Sequence, residues 1–240
     1  MTLLVDFLCR FAWGLAAALV LTPTGVVPAG FFRVNLLVVL GLATFAALLA
    51  GSGLPAWFWP LPAAAALAAW LGSIAWYAER VRGGLVLCVV CAGLLAAATV
   101  LVGPVALLPA ATRLLSGLVV GLTVHAMLLG HWYLNAPGMR VDALRRMIDV
   151  ALVAWAAVLV AALAAALGTG TVPWQGREPT ALALLSLRWL AGLLGLPALL
   201  VLSRKTLEIP NTQSATGILY VACLAAIIGE LTAQLLATPA

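Results

Sequence analysis

Charged side chains interrupt several long apolar segments of this sequence. Asp6, Arg10, Arg188 and Glu230 all lie within runs rich in Leu, Ala and Val. An ionised group in the interior of a membrane costs at least about 2.5 kcal/mol, so each needs a partner or a function. Asp6 and Arg10 are one helical turn apart and are predicted to pair. Arg188 and Glu230, at similar depth on consecutive helices, are predicted to form a second pair. These groups are either structural ion pairs or parts of a polar ligand site.

A second pattern places Arg113, Gly117, Gly121 and His125 four residues apart along one ridge of a predicted helix. Small residues let helices approach closely in a membrane, so this ridge is predicted to face protein and to carry Arg113 and His125 inward. A buried histidine can ligate haem, hydrogen-bond a quinone or relay protons. The alternative is a histidine satisfied by a neighbouring carbonyl or hydroxyl group.

The same helix carries the only other histidine, His131. The two histidines lie about 9 Å apart along the axis and on different faces, so bis-histidine haem ligation is not expected. Cys88 and Cys91 form a C-x-x-C without a second ligand pair, and no metal is predicted. All four cysteines are expected to be small core residues. The predicted cofactor-binding residues are His125, Arg113 and His131, with a quinone or a lipid head group as the ligand.

Polar residues also gather at the other ends of the predicted helices, around 131–146 and 204–216. The start of the last helix offers backbone N–H groups that attract an anion such as a phosphate. The alternative is helix capping together with the ordinary retention of basic residues in cytoplasmic loops.

A short motif, Arg followed after three residues by Gly-Leu, occurs three times. It begins at Arg10, Arg113 and Arg188. The first two copies suit a duplication of four helices, in halves 1–104 and 105–240 of a single transmembrane domain, 1–240. Coincidence is the alternative, because Gly and Leu are abundant.

Composition sets the environment of all these residues. The chain is 65% hydrophobic and 8% charged, with a mean hydropathy of +1.20, whereas a soluble domain carries roughly a quarter charged residues. The formal net charge of +5 comes from basic residues between apolar runs, where they orient a membrane protein. Binding to nucleic acid is therefore not expected, and lipids are the first expected partners.

Glycines, prolines and charges divide the chain into eight apolar runs of about 20 residues, the length that spans a membrane. They cover 2–22, 31–50, 56–77, 83–102, 109–134, 147–167, 180–202 and 215–236. Basic residues concentrate in the odd-numbered loops, at Arg80, Arg82, Arg140, Arg145, Arg146, Arg204 and Lys205. The chain is thus predicted to be an all-α, multi-pass bundle of the inner (plasma) membrane with both termini outside the cytoplasm.

No motif of nucleotide binding, metalloprotease chemistry or nucleophilic catalysis occurs in the chain. The eight-helix topology with external termini resembles the quinol-reactive anchor subunits of respiratory oxidoreductases. That resemblance implies a haem-free electron-transfer subunit, bound to other membrane subunits and lodging a quinone. A small secondary transporter is the alternative, with Arg10, Arg188 and Glu230 lining an outer vestibule and Pro197 breaking a helix at the substrate site. A structural scaffold subunit is the third hypothesis.

Overall fold

The computed structural model of the protein describes residues 2–136, 140–168, 178–209 and 211–237, which form helices and short connections without a β-strand. The helices are α1 (Thr2–Leu21), α2 (Ala29–Gly53), α3 (Pro60–Tyr77), α4 (Val81–Leu101), α5 (Leu107–Asn135), α6 (Asp142–Gly168), α7 (Pro179–Leu187), α8 (Leu196–Thr206) and α9 (Thr212–Ala237). Seven spans are long and apolar enough to cross a membrane, counting 179–206 as one. The predicted multi-pass helical bundle is confirmed.

The helix α3 is shorter than the run 56–77 predicted for it. It has 18 residues and begins at Pro60, a residue suited to the first turn of a helix because the N–H that it lacks would have no partner there. Its length is about 27 Å, close to the roughly 30 Å of a hydrocarbon core. It falls outside the seven spans selected by length and apolarity, yet it packs along both α2 and α4. It lies beside them as a shorter eighth helix.

Two helices, α1 and α5, form the centre of the bundle. α1 packs against α2, α4 and α5, and α5 also packs against α6 and α9. We name as side A the side on which α1, α5 and α7 begin and α4 and α9 end; the opposite side is side B. Side B carries exposed Arg82, Arg140, Arg146 and Lys205. That side B is cytoplasmic, with both termini on side A, stays a prediction.

Glycines allow α1 and α5 to approach backbone to backbone. A Cβ atom added at Gly121 would lie 2.0 Å from the carbonyl carbon of Gly14, and one added at Gly14 would lie 1.9 Å from the carbonyl oxygen of Gly117. Arg113 and His125, at the two ends of the glycine ridge, are both buried. The prediction that this ridge faces protein is confirmed. The prediction for the cysteines is confirmed as well, since Cys9, Cys88, Cys91 and Cys223 are buried and unpaired.

The seventh span loses its α-helical register at its centre. Between α7 and α8, residues Arg188–Gly195 form a π-helical segment, which lies just before Pro197, at which the sequence predicts a break. The ring of Pro197 would clash with the carbonyl of residue 193 in a straight α-helix, and a side chain at 195 would lie 2.7 Å from the carbonyl oxygen of Leu190. π-Helical turns are rare, and those that occur are often found at functional sites. Arg188 is the first residue of this segment.

Candidate functional site: a charged cavity on side A

A cavity of about 900 Å³ lies on side A between α1, α5, α6, the π-helical segment and α9. It reaches the side A ends of these helices, since Thr2, Leu108 and Ala237 contribute to its wall. Its charged lining consists of three arginines and two carboxylates: Arg10, Arg113, Arg188, Asp6 and Glu230. All four residues predicted as buried charges, together with Arg113, therefore share one cavity.

Arg10 is the centre of an ion-pair network. Its guanidinium donates to both carboxylate oxygens of Asp6, at 2.8 and 2.5 Å, and its Nη1 lies 2.7 Å from Oε1 of Glu230. The side chain of Arg10 is 13% exposed and that of Glu230 is 5% exposed, so little solvent screens the contact. The predicted Asp6–Arg10 pair is confirmed. The charge of Arg10 is satisfied by two carboxylates within the protein.

The predicted pairing of Arg188 with Glu230 is wrong. Glu230 accepts hydrogen bonds on Oε1 from Arg10 and, at 2.8 Å, from Nε2 of Gln234. Within the described ranges no carboxylate lies within 4 Å of the Arg188 guanidinium, although Arg188 and Glu230 line the same cavity. Matched depth pointed to Arg188 alone, whereas the packing of α1 against α5 and α9 brings Arg10 to Glu230.

Arg113 is held by backbone carbonyls rather than by a carboxylate. Its Nη2 donates to the carbonyl oxygens of Val100 at 3.2 Å and Pro104 at 2.5 Å. Carbonyl groups at a helix C-terminus are left without partners and favour cations, so the end of α4 is a suitable site for this side chain. Arg113 keeps its full positive charge inside the cavity wall.

Arg188 begins the π-helical segment and is half-buried. Gly192 positions this segment, because its backbone meets that of Gly229 on α9; a Cβ atom at Gly192 would lie 2.9 Å from the Cα of Gly229. The neighbouring Glu230 is occupied by Arg10. Arg188 is thus held in the cavity beside a carboxylate that another arginine already binds.

Apolar residues form the deeper wall of the cavity. Val119 and Val120 come from α5, Leu193 and Leu196 from the seventh span, and Trp155 from α6. The indole N–H of Trp155 is buried and has no hydrogen-bond partner among the described residues. Sequence reasoning did not identify Trp155, since only its position opposite the π-helical segment distinguishes it from other apolar residues of α6.

His125 lies outside this cavity in the closed core. It is fully buried, its Nε2 is 2.7 Å from the hydroxyl oxygen of Thr22, and the ring of Phe31 meets its ring edge-on at 5.2 Å between centroids. The Thr22 hydroxyl also lies 2.7 Å from the carbonyl oxygen of Ala18 and donates to it. Because a hydroxyl has one hydrogen, the Nε2–H of His125 must donate to Thr22. The Nε2 of His125 thus has a hydroxyl partner, whereas its Nδ1 is buried and has no hydrogen-bond partner among the described residues.

The three predicted cofactor-binding residues do not converge. Arg113 and His125 are about 18 Å apart along α5, and Arg113 and His131 about 27 Å. His131 is exposed on side B, where its Nδ1 lies 3.3 Å from the hydroxyl of Tyr220. Of the three, only Arg113 lines the side A cavity.

Three basic residues of side B, Arg140, Arg145 and Arg204, form ion pairs with described carboxylates. Arg204 contacts Asp149 at 2.9 Å and Arg140 contacts Asp142 at 2.8 Å. Asn211 caps the start of α9, the helix start at which the sequence predicts a possible anion site. Its side-chain oxygen accepts a hydrogen bond from the N–H of Ser214 at 3.0 Å. The Asn211 cap agrees with the capping alternative, and an anion site at this helix start stays a prediction.

Within the described part of the chain, no cluster of three or more His, Cys, Asp or Glu side chains could hold a metal. Comparison of the chain with protein-family models, curated proteins and solved structures finds no match. The side A cavity has three arginines against two carboxylates, a formal excess of one positive charge, and neither Arg113 nor Arg188 forms an ion pair within 4 Å with a described carboxylate.

Proposed function

We propose that the protein is a small secondary transporter whose side A cavity binds an anionic substrate. The observation that carries the proposal is the guanidinium of Arg188, which lines the cavity while the nearby carboxylates Asp6 and Glu230 are both bound to Arg10. The lining holds three arginines against two carboxylates, a formal excess of one positive charge, and an excess charge inside a membrane protein costs a few kcal/mol unless something neutralises it. An anionic substrate would supply that neutralisation.

The position of the π-helical segment supports transport in particular. Transporters build midplane substrate sites from helices whose regular hydrogen bonding is interrupted, and Arg188–Gly195 is such an interruption on the cavity wall. The basic cavity of side B, lined by Arg145, Arg146 and Arg204, shares no residue with that of side A. Leu144, Ile148 and Leu200, which neighbour the basic residues of side B along the chain, are buried in the apolar core. Passage of substrate would require the seventh span to move.

A haem-free electron-transfer subunit that lodges a quinone is the second candidate. The apolar deep wall and the unpartnered indole N–H of Trp155 favour it, because a quinone has a hydrocarbon tail and carbonyl oxygens that accept hydrogen bonds. The quinone would then lie near Arg113 and Arg188 rather than near His125.

The test compares binding of anions by the wild type, Arg188→Gln and the control Arg82→Gln. Arg82 is exposed on side B and makes no ion pair with a described residue. Phosphate, sulfate and succinate are added to the purified protein at constant ionic strength with chloride as the reference, and the thermal midpoint is recorded. A ligand that binds the folded state raises the midpoint.

We expect at least one anion to raise the midpoint of the wild type and of Arg82→Gln, and not that of Arg188→Gln. The same anion should then be taken up by proteoliposomes containing the wild type. Stabilisation by decylubiquinone alone would favour the quinone candidate. An absence of any ligand effect would leave a structural scaffold role.

A further inference from the structure

We infer that the ligand of the side A cavity is an anionic amphiphile, a hydrocarbon chain that ends in one carboxylate or phosphate group, and that it enters from the bilayer between α6 and the π-helical segment. This inference rests on the proposed anion binding and adds the class of the anion and its route. Three observations carry it: the level of the charges, the polarity of the wall below them, and the element that borders the cavity toward lipid.

The charges lie in the half of the bundle toward side A, below the first turns of their helices. Arg10, Arg113 and Arg188 stand about 12, 9 and 14 Å from the first residues of α1, α5 and α7. All three helices begin on side A, and helical side chains tilt toward the N-terminus, so each guanidinium extends further toward that surface. A carboxylate or phosphate group on the side A half of the bundle would meet Arg188 before any part of the deeper wall.

The wall below these charges is apolar. At a rise of about 1.5 Å per residue, Val119 and Val120 lie about 10 Å deeper than Arg113 along α5. The same rise places Leu193 and Leu196 about 8 to 12 Å deeper than Arg188. On α9, which runs in the opposite direction, Ala226 lies one turn deeper than Glu230. A small hydrophilic anion would be poorly solvated there. A ligand with its charge toward side A and its hydrocarbon toward the membrane centre matches this gradient.

The lipid-facing border of the cavity is formed by α6 and the π-helical segment. Trp155 and Val158 of α6 line the cavity, whereas α6 packs mainly against α5 and α8. Residues next to the border face outward, since Val153 is 71% exposed and Leu190 is 65% exposed. A hydrocarbon chain can therefore pass from the bilayer to the apolar wall without crossing the charged layer.

The experiment measures equilibrium binding of radiolabelled probes to the protein in phosphatidylcholine nanodiscs. Oleate and oleoyl lysophosphatidate are the anionic amphiphiles. Acetate and inorganic phosphate represent their head groups alone, and monoolein is the neutral amphiphile. The variants are Arg188→Gln, Val158→Trp, which narrows the border at α6, and Arg82→Gln as the control.

We expect both anionic amphiphiles to bind at least tenfold more tightly than their head groups and than monoolein. Arg188→Gln and Val158→Trp should each weaken them about tenfold, and Arg82→Gln should not change them. The preferred probe of the two identifies the head group. Since Val158 is only half-buried, its replacement tests the route with little risk to folding.

Three results would overturn the inference, and they separate it from the proposed function. Acetate or phosphate could bind in an Arg188-dependent way as tightly as the amphiphile with the same head group. The cavity would then be an anion site, and the inference that its ligand carries a hydrocarbon chain would be wrong. If monoolein bound as tightly as the anionic amphiphiles, the negative charge of the ligand would not contribute to binding. Failure of every probe to bind would defeat both the inference and the proposed anion site.

Discussion

Replacement of Gly121 by alanine should destabilise the bundle more than any other single added methyl group in α5. The new Cβ atom would lie 2.0 Å from the carbonyl carbon of Gly14 and 2.3 Å from the backbone nitrogen of Leu15. Carbon atoms in contact prefer roughly 3.5 to 4.0 Å. Neither partner is a flexible side chain, so relief requires the axes of α1 and α5 to separate by about 1.5 Å at this point.

The expected cost follows from the kind of atoms that collide. Overpacking a well-packed core costs about 1 to 3 kcal/mol, and the upper value applies because two central backbones must move. For a chain of this size about 3 kcal/mol corresponds to a loss of roughly 6 to 12 °C in the thermal midpoint. Scanning fluorimetry of the purified protein in detergent measures it directly.

The matched control is Gly41→Ala on α2. Gly41 is also inside a helix, is exposed, and an added Cβ atom would meet nothing within 4 Å. The gain in helix propensity is shared by both variants, so their difference isolates the contact. If Gly121→Ala unfolds at the same temperature as Gly41→Ala, the backbone contact between α1 and α5 does not exist and the placement of Arg10 beside Glu230 loses its basis.

Three further outcomes follow from the same structure. Glu230→Gln should cost roughly 3 kcal/mol in an equilibrium unfolding titration, because it removes a buried partner of an arginine, whereas Arg188→Gln should cost less; the reverse order would restore the pair predicted from depth. His125→Ala should lower the thermal midpoint through a lost hydrogen bond and a small cavity, yet leave anion affinity unchanged; a loss of affinity at unchanged stability would place His125 in the site. A cysteine at Glu178 should react with an impermeant reagent applied outside cells and one at Glu208 should not; the opposite labelling would invert the topology.

The parts of the fold that the sequence predicts are those decided by local spacing. Runs of apolar residues give the spans, and the i+4 order of Arg113, Gly117, Gly121 and His125 identifies the buried face of α5, since lipid exposure of both ionisable groups would be costly. The Asp6–Arg10 pair follows for the same reason, being separated by one turn of one helix. Each of these inferences needs only the periodicity of a helix.

The partner of Glu230 requires more than periodicity. Depth along the membrane is readable from residue counts, but the rotation of one helix relative to another is not, and it is Arg10 rather than Arg188 that reaches Glu230. The π-helical segment adds a second difficulty, because wider turns change the direction in which Arg188 points relative to the residues that follow it. The position of Trp155 in the cavity wall could not be predicted either, because it depends on how α6 is placed beside the seventh span.

The three copies of the Arg-x3-Gly-Leu motif acquire a common physical meaning in the structure. In each copy the glycine permits a close helix contact, Gly14 with Gly121, Gly117 with the backbone of Arg10, and Gly192 with Gly229. The arginine of each copy lies one turn before its glycine, nearer side A, on a helix that packs closely against a neighbouring helix. Because the three helices begin on the same side, the three guanidinium groups arrive in one cavity. Two of the copies position arginines that form no ion pair within 4 Å with a described carboxylate, and the three arginines outnumber the two carboxylates of the cavity by one. This single excess charge, which the packing motif produces, is the basis of the proposal that the cavity binds an anion.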